Sequence, residues 1–232
     1  MVSIARGEDL ALLVELAGLK GNETVLDVGT ATGSAALALA ALTSGVVIGV
    51  DMAATALEQA AMQAEAQGSR NARFQPGDAG ALPFADGSFD LVVSRMAGHH
   101  FPDMPAFCRE AARVLRPGGR VVVLDNIAPE DPALDAFINT LEKLRDPDHG
   151  RAHRVSEWVA ALSAAGLNVD EPRRFETPEP LPDWWERLGV TAPVAADIAR
   201  RLAEAPAAAR QTFCIESESF CMLRAAFGAN LK

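Results

Sequence analysis

The first half of the chain alternates short apolar segments with longer helical ones, and this alternation limits the fold more than any other feature. Apolar runs bounded by glycine or turn residues predict buried strands at 23–29, 45–51, 72–78, 89–95 and 120–126. Helical patterns separate them at 33–42, 53–68 and 103–119. Strands alternating with helices form right-handed βαβ units, and uniformly apolar strands are covered on both faces. The sequence therefore predicts an α/β fold around a parallel sheet.

The pattern changes after Asn126. Residues 131–146 and 156–166 are predicted to be helical, 167–177 to be an edge strand, and 211–228 to be a terminal strand or strand pair. Residues 178–206 are rich in proline and helical in their second half. Because no repeat or linker divides the chain, we expect one domain over 1–232, with a helical insertion around 178–206.

Composition argues against several classes of protein. Of the 232 residues, 49% are hydrophobic and 22% charged, which is typical of a globular protein. The formal net charge of −10 argues against binding to nucleic acids and to anionic membranes. The longest apolar stretch, 35–50, is interrupted by Thr43, Ser44 and Gly45, so no membrane insertion is expected. The N-terminus lacks a signal-peptide pattern, and we expect a cytoplasmic location.

The three cysteines, Cys108, Cys214 and Cys221, are irregularly spaced and form no CxxC pair. This spacing predicts neither a metal site nor a disulfide framework, and we expect free thiols. A bridge between Cys214 and Cys221 stays open at this point.

A glycine-rich turn, VLDVGTATG at 25–33, joins the first strand to a helix. Such turns let the backbone approach a ligand at a helix N-terminus. A dinucleotide-binding GxGxxG turn would need glycine where Ala31 and Ser34 stand, which argues against an NAD-dependent oxidoreductase. Asp27, just before the turn, suits the ammonium of an amino-acid moiety better than a pyrophosphate.

Two further carboxylates follow neighbouring strands. Asp51 ends the second strand about twenty residues after the turn, where an acid binds ribose hydroxyls, although it could instead cap the next helix. Asp78 follows the third strand. Ligands of open α/β sheets bind at the carboxyl ends of strands, so these side chains predict an adenosine site.

Five motifs occur together in order: VLDVGTATG, GVDM, GDAGALPF, SFDLVVSR and REAARVLRPGGRVVVLD. Over residues 8–126 they resemble the class I S-adenosylmethionine-dependent methyltransferases, in particular the ubiquinone/menaquinone-biosynthesis group. The resemblance implies a Rossmann-like three-layer sandwich with a mostly parallel seven-stranded sheet and an antiparallel C-terminal strand. It also implies that S-adenosyl-L-methionine is the cofactor and a small molecule is the methyl acceptor.

The resemblance assigns cofactor binding to the turn and the strand ends: Asp27, Gly29, Thr30, Gly33, Asp51, Met52, Asp78, Ala79 and Arg95. In this assignment Asp51 binds both ribose hydroxyls, Met52 packs on the adenine, and Asp78 and the Ala79 N–H bind the adenine. Arg95 lines the methionine end and the acceptor pocket. Ala31 departs from the family, where glycine is common.

Methyl transfer from a sulfonium is an in-line displacement, so the enzyme has to align the acceptor and exclude water. A hydroxyl acceptor also benefits from a general base, and no metal is required. His99 and His100 follow the fourth strand and are the candidate catalytic bases. The alternative is that one packs or caps and the other is solvated.

Arg145, His149, Trp184 and Trp185 are candidates for the substrate side. The first two lie in RDPDHGRAH, a segment resembling one near the acceptor entrance of the family, where Pro147 and Gly150 make a helical metal site implausible. The tryptophans lie in the 178–206 insertion, which often forms a lid in the resembling enzymes. A core-packing segment or a dimer contact is the alternative.

We therefore expect a methyltransferase acting on an oxygen or carbon atom of a small molecule. The alternative is an S-adenosylmethionine-binding protein that does not methylate, such as a cyclase or rearrangement enzyme of natural-product biosynthesis, because fold does not fix function. A homodimer is compatible with the sequence.

Overall fold

The computed structural model describes residues 2–3 and 7–231. Its strands are β1 (Val2–Ser3), β2 (Val25–Val28), β3 (Val47–Asp51), β4 (Ala72–Pro76), β5 (Phe89–Arg95), β6 (Leu115–Ala128), β7 (His153–Arg154), β8 (Leu167–Val169), β9 (Arg173–Pro180) and β10 (Ser219–Leu231). Its α-helices are α1 (Glu8–Ala17), α2 (Ser34–Ala40), α3 (Ala54–Ala66), α4 (Met104–Val114), α5 (Pro132–Arg145), α6 (Val155–Ala164), α7 (Leu181–Glu186), α8 (Ala192–Ala203) and α9 (Ala207–Thr212). Gly98–His100 form one turn of 3-10 helix.

One sheet organises the molecule, in the order β1-β9-β10-β6-β5-β2-β3-β4. Strands β2 to β6 pair in parallel, whereas β10 is antiparallel to β6 and β9 on either side. Seven strands of four or more residues form its body, and β10 alone among these runs in reverse. This arrangement confirms the predicted Rossmann-like sandwich and its antiparallel C-terminal strand.

The crevice for a ligand follows from the strand order. From β2 the chain moves outward to β3 and β4, and then returns to place β5 on the other side of β2. Connections leaving β2 and β5 therefore diverge at their carboxyl ends, which is where open α/β sheets bind ligands.

Apolar side chains fill both faces of the sheet. In β5, Val92 packs into one buried cluster while Leu91 and Val93 pack into another. Because successive side chains of a strand point to opposite faces, this division shows that helices cover both sides. The strands are uniformly apolar in sequence because both of their faces are buried.

Several predicted boundaries were wrong. The helix expected at 103–119 ends at Val114, because Leu115 takes an extended conformation and pairs with Phe89. The strand expected at 211–228 begins only at Ser219, since 207–212 form α9 and a turn follows. The edge strand at 167–177 is two strands, β8 and β9, and 178–206 is helical in both halves.

Within the described part of the chain, no helix is both long and apolar enough to cross a membrane.

Candidate active site

The turn after β2 is built from alternating left-handed residues. Gly29, Ala31 and Gly33 have φ of 72°, 47° and 84°. A Cβ at Gly29 would lie 2.4 Å from the Ala97 Cβ, so glycine is required there by space as well as by conformation. Ala31 adopts its φ at a cost of roughly 1 kcal/mol, which glycine in the related motif does not carry.

Two carboxylates from neighbouring strands hold this turn. Asp27 Oδ2 accepts hydrogen bonds from Thr30 Oγ1 at 2.7 Å and from the Ala36 N–H at 3.1 Å. Asp51 Oδ2 accepts from the Ala31 N–H at 2.8 Å, and its Oδ1 accepts from the Ala53 N–H at 2.9 Å. The turn is therefore fixed between the ends of β2 and β3.

Asp27 has a spare acceptor. Its Oδ1 is buried and has no hydrogen-bond partner among the described residues. Burial raises the pKa of Asp27 to about 6, against the lowering effect of the hydrogen bonds from Thr30 and Ala36. A cationic group of a ligand near this carboxylate would favour its ionised form.

Asp78 lies beside Asp51, as predicted. The Gly77 N–H donates to the Asp51 carbonyl at 3.1 Å, and Asp78 Oδ1 accepts from the Gly80 N–H at 2.8 Å. Asp78 is exposed and Ala79 is buried, while Met52 is 75% exposed. An exposed methionine of this size next to two carboxylates is available to cover an aromatic ring.

Arg95 is tied to the same turn from the other side. Its Nε donates to Asp9 Oδ2 at 2.9 Å, and its Nη1 donates to Ser34 Oγ at 3.1 Å in the first turn of α2. The structure thus brings the predicted cofactor residues to one edge of the sheet, around the switch between β2 and β5.

His99 forms a buried pair with Asp125. Its Nδ1 lies 2.5 Å from Asp125 Oδ1, and its backbone N–H donates to Asp125 Oδ2 at 2.9 Å. Burial by itself lowers the pKa of His99, but the Asp125 carboxylate outweighs it, and the net pKa is raised above 6.5. Because the aspartate occupies Nδ1, Nε2 is the basic atom left to face a ligand.

The other two histidines of this region differ from His99. His100 is exposed, and its Nδ1 lies 3.1 Å from the Asp148 carbonyl. His149 is buried, with its Nε2 2.9 Å from Asn139 Oδ1. His149 lies in the loop after α5, where Asn139 bonds its side chain and the centroid of the His99 ring lies 5.5 Å from that of its own ring.

The protonation of His149 follows from its neighbours. Asn139 Nδ2 donates to Asp135 Oδ1 at 2.7 Å, so Asn139 Oδ1 is the acceptor facing His149. Nε2 of His149 therefore carries the hydrogen, and Nδ1, which has no partner in the described structure, presents a lone pair. Burial, helped by His99 and His100, lowers the pKa of His149 to about 4, so the ring is neutral.

A buried charged cluster adjoins these histidines. Glu142 and Arg145 on α5 approach each other at 3.5 Å, and the Arg145 guanidinium lies 4.6 Å from the ring centroid of Trp184. Burial raises the pKa of Glu142, although Arg145 and His99 oppose the rise. Glu142 Oε1 and Arg145 Nε are buried without partners among the described residues.

Arg224 of β10 supports this cluster from beneath. Its three guanidinium nitrogens donate to Asn126 Oδ1 at 3.1 Å, Thr177 Oγ1 at 3.0 Å and Glu179 Oε1 at 2.9 Å. Asn126 Nδ2 in turn lies 3.5 Å from Glu142 Oε2. The polar groups at the ends of β6, β9 and β10 therefore form one continuous network.

The two tryptophans are separated by the structure. Trp184 is buried edge-on against Phe220, with centroids 4.8 Å apart, whereas Trp185 is half-buried against the core. Trp184 therefore fits the alternative of a core-packing residue. It also contacts the charged cluster, because the Arg145 guanidinium lies over its ring.

Sequence reasoning missed Asp125, Asn126, Glu142, Glu179 and Arg224. The first two were findable, because they end an apolar strand just as Asp51 does. Glu142 shares a helix face with buried Asp135 and Ile138 at helical spacing, which gives it a weaker signal. No local pattern distinguishes Glu179 or Arg224, because the groups they contact are distant in sequence.

Fold and site together define a class I methyltransferase. A methyltransferase-domain family model matches residues 19–160, more than half of the chain, and the chain belongs to that family. It is 41% identical to the uncharacterized methyltransferase YcgJ of Bacillus subtilis over 224 residues, which covers 94% of this chain and 88% of that protein.

The crystal structure of the YcgJ protein superposes with a TM-score of 0.94 at 37% identity, covering 97% of this chain and 98% of the other. A second relative is the 27-O-demethylrifamycin SV methyltransferase of Amycolatopsis mediterranei, 35% identical over 156 residues, or 66% of this chain and 56% of that protein.

The cofactor of the protein is S-adenosylmethionine, and the site is compatible with it. The unpartnered Asp27 Oδ1 suits a cationic amino-acid tail, and the glycine turn leaves room for a close backbone approach. Each Asp51 oxygen accepts one backbone N–H and keeps lone pairs for a hydroxyl.

Proposed function

We propose that this protein methylates a hydroxyl oxygen, or a carbon made acidic by a neighbouring hydroxyl, of a small polar molecule. The buried His99–Asp125 pair carries this proposal, because a neutral hydroxyl nucleophile is the acceptor that needs a base. The rifamycin relative, whose name states a 27-O-demethyl substrate, gives precedent for an oxygen acceptor.

The cofactor residues proposed are those that the structure gathers at the strand ends. Asp51 and Asp78 bind the nucleoside, Met52 and Ala79 contact the base, and Asp27 neutralises the ammonium. Gly29, Thr30 and Gly33 shape the turn, and Arg95 holds the adjoining helix end. Bound S-adenosylmethionine supplies a methyl group on a sulfonium with a neutral leaving group.

Proton transfer is assigned to His99. Its Nε2 accepts the proton of the acceptor hydroxyl as the oxygen gains the methyl group, and Asp125 stabilises the imidazolium that results. His100 is exposed, and the Asp146 carboxylate lies 3.8 Å from its Nε2, against 2.5 Å for the buried His99–Asp125 pair, so we assign the base to His99.

The pocket for the methyl acceptor is proposed to adjoin His99. Polar atoms without partners in the lining of this pocket determine which groups the methyl acceptor must carry. Glu142 Oε1 and His149 Nδ1 need donors, whereas Arg145 Nε needs an acceptor. A buried polar atom without a partner costs about 1–3 kcal/mol, so a ligand supplying these bonds gains affinity and selectivity. Two hydroxyl groups of the substrate could donate to Glu142 Oε1 and His149 Nδ1, and a substrate oxygen could accept from Arg145 Nε. These three atoms therefore favour a hydroxyl-rich substrate.

The whole chain is proposed to act as one methyltransferase domain, with α7 and α8 of the 178–206 segment covering the acceptor. Trp184 contacts Arg145, and thereby links this segment to the charged cluster. Covering the pocket would exclude water, which strengthens its hydrogen bonds. Of the two tryptophans, Trp185 is the more exposed, and we propose that it moves with such a lid.

The test is a methyl-transfer assay with labelled S-adenosylmethionine and a panel of hydroxylated acceptors. His99→Ala is expected to lower kcat about 10²- to 10⁴-fold without changing S-adenosylmethionine affinity. His100→Ala is the matched control and should retain near wild-type kcat. Equal activities of the two variants would refute the assignment of the base.

The pH profile gives a second readout. His99 must be neutral to accept a proton, and its pKa lies above the ordinary 6.5, so activity should rise with pH through a midpoint above 6.5. Asp125→Asn removes the negative charge that raises this pKa, and should move the midpoint downward. Product formed without release of S-adenosylhomocysteine would instead indicate the non-methylating alternative.

A further inference from the structure

Three potential metal ligands converge on a different part of the molecule. Glu176 of β9, Cys221 of β10 and Cys214 of the turn between α9 and β10 each offer one atom, and these atoms lie within 4.8 Å of one another. In the β9–β10 pairing, Cys221 is opposite Pro178, and Arg224 is opposite Phe175. Because side chains alternate along strands, Glu176 and Cys221 lie on the sheet face opposite Arg224.

The turn that carries Cys214 is held by the backbone. The Cys221 N–H donates to the Phe213 carbonyl at 2.7 Å, and the Glu216 N–H donates to the Ser219 carbonyl at 2.9 Å. Cys214 itself has a left-handed φ of 45°, an unfavourable conformation for a non-glycine residue. These contacts fix the Cys214 thiol beside Cys221 and Glu176.

The charges around the two thiols favour a cation over redox chemistry. Burial, together with Cys214, Glu176 and Glu216, raises the pKa of the Cys221 thiol to about 12. Reactive cysteines need the thiolate form and therefore electropositive surroundings, whereas the groups that act on the Cys221 thiol are another thiol and two carboxylates. A divalent cation would counteract this rise in the thiol pKa, since it attracts the carboxylates and displaces the thiol protons.

We propose that Cys214, Cys221 and Glu176 bind a thiophilic divalent cation of the Zn²⁺ class, with water as the fourth ligand. Two thiolates and a carboxylate are a zinc ligand set, and bonds of about 2.3 Å place tetrahedral sulfur ligands about 3.8 Å apart. The three ligand atoms lie within 4.8 Å of one another, so a small side-chain adjustment reaches that geometry. Two protons leave the thiols as the cation binds.

The site also has a structural consequence. The Leu181 N–H, at the start of α7, donates to the Glu218 carbonyl at 2.8 Å in the turn that follows Cys214. A cation joining this turn to β9 and β10 would stiffen the base from which α7 and α8 extend.

The test uses the full-length protein, reduced and stripped of metal with a chelator. Cd²⁺ is titrated while thiolate-to-metal absorption is followed in the ultraviolet, and Zn²⁺ is then used to displace it. We expect one ion per chain, protection of the exposed Cys214 thiol from a thiol reagent when metal is bound, and a rise in Tm with Zn²⁺.

The ligand variants are Cys214→Ser, Cys221→Ser and Glu176→Gln, with Cys108→Ser as the matched control because Cys108 is buried elsewhere, against Met104. Each ligand variant should weaken Cd²⁺ binding by at least the roughly 10- to 100-fold that loss of an outer-shell partner costs. The control should bind like wild type.

Three results would overturn the proposal. One is the absence of charge-transfer absorption at stoichiometric Cd²⁺ in the reduced protein. Another is binding that survives in both cysteine variants. The third is loss of two thiols to a disulfide on air exposure, with no protection by Zn²⁺, which would indicate a redox pair instead.

Discussion

Asp51 is the residue on which the proposed cofactor site depends most. Its two oxygens accept the N–H groups of Ala31 and Ala53, so it orders the turn in addition to its proposed role of binding the ribose. Asp51→Ala removes charge-assisted hydrogen bonds worth about 1.5–3 kcal/mol, and we expect roughly 10- to 100-fold weaker binding of S-adenosylmethionine by calorimetry.

The control for this variant is Asp51→Asn. The amide keeps one oxygen that can accept the Ala31 N–H, so the turn should hold and part of the affinity should return. Unchanged affinity in Asp51→Ala would mean that the cofactor does not lie at the ends of β2 and β3.

His149 makes a prediction about stability and pH. Its folded pKa is about 4 and its unfolded value 6.5, so between these pH values the unfolded chain binds a proton that the folded protein does not. The stabilisation is fully present above pH 6.5 and is lost as pH falls toward 4. His149→Gln removes this dependence while offering Asn139 an amide donor.

The measurement is urea unfolding of both proteins at several pH values. The free energy of unfolding of wild type should fall relative to His149→Gln by up to about 3 kcal/mol between pH 6.5 and 4. Asp27, whose raised pKa stabilises the fold as pH falls below 6, acts equally in both proteins and cancels. Parallel curves would contradict the buried neutral histidine.

At the scale of elements, helix α7 joins the 178–206 segment to the rest of the protein through Trp184. Its ring packs against Phe220 and beneath the Arg145 guanidinium. Trp184→Ala leaves a large cavity and an unstacked buried charge, and we expect the free energy of unfolding to fall by about 3–5 kcal/mol.

Trp185→Ala is the matched comparison, because the two residues share a helix but Trp185 is only half-buried. Chemical denaturation should show a clearly smaller loss for Trp185→Ala. If its loss equalled or exceeded that of Trp184→Ala, the packing described for α7 would be wrong.

Most elements were predictable from local patterns, and the failures have local causes too. Glycine and apolar runs marked β2 to β5 within two residues of their ends. The predicted helix extended beyond the end of α4, because the Pro-Gly-Gly segment after Arg116 is part of strand β6. Residues 211–218 include apolar side chains, as β10 does. The local sequence therefore does not distinguish this turn from the strand that follows it.

For the whole molecule, binding of the cofactor product should stabilise the fold. A ligand at 100 times its Kd adds about 2.7 kcal/mol to the free energy of unfolding. For a chain of 232 residues this corresponds to a rise in Tm of roughly 5–11 °C with S-adenosylhomocysteine. Differential scanning fluorimetry measures it.

NADH is the control ligand, because the turn lacks two glycines of the dinucleotide pattern. It should leave Tm unchanged, and the response to S-adenosylhomocysteine should fall in Asp51→Ala. An equal shift with NADH would contradict the cofactor assignment. The cytoplasmic location, the homodimer and the lack of nucleic-acid binding stay predictions.

The sequence by itself determined the α/β class and the strand ends at which the cofactor site is proposed, whereas the reversed last strand was implied by the family resemblance. Periodicity and turn chemistry act over a few residues, and the carboxyl ends of parallel strands necessarily meet at one edge, so Asp27, Asp51 and Asp78 could be placed together.

Only the tertiary structure defined the residues of the proposed acceptor end. His99, Asp125, Glu142 and Arg224 lie on a 3-10 turn, two strands and a helix, and the order of β5, β6 and β10 brings them together. The same holds for Cys214, Cys221 and Glu176. Contacts between residues distant in sequence depend on strand order and on which face each side chain takes, and no local pattern encodes either.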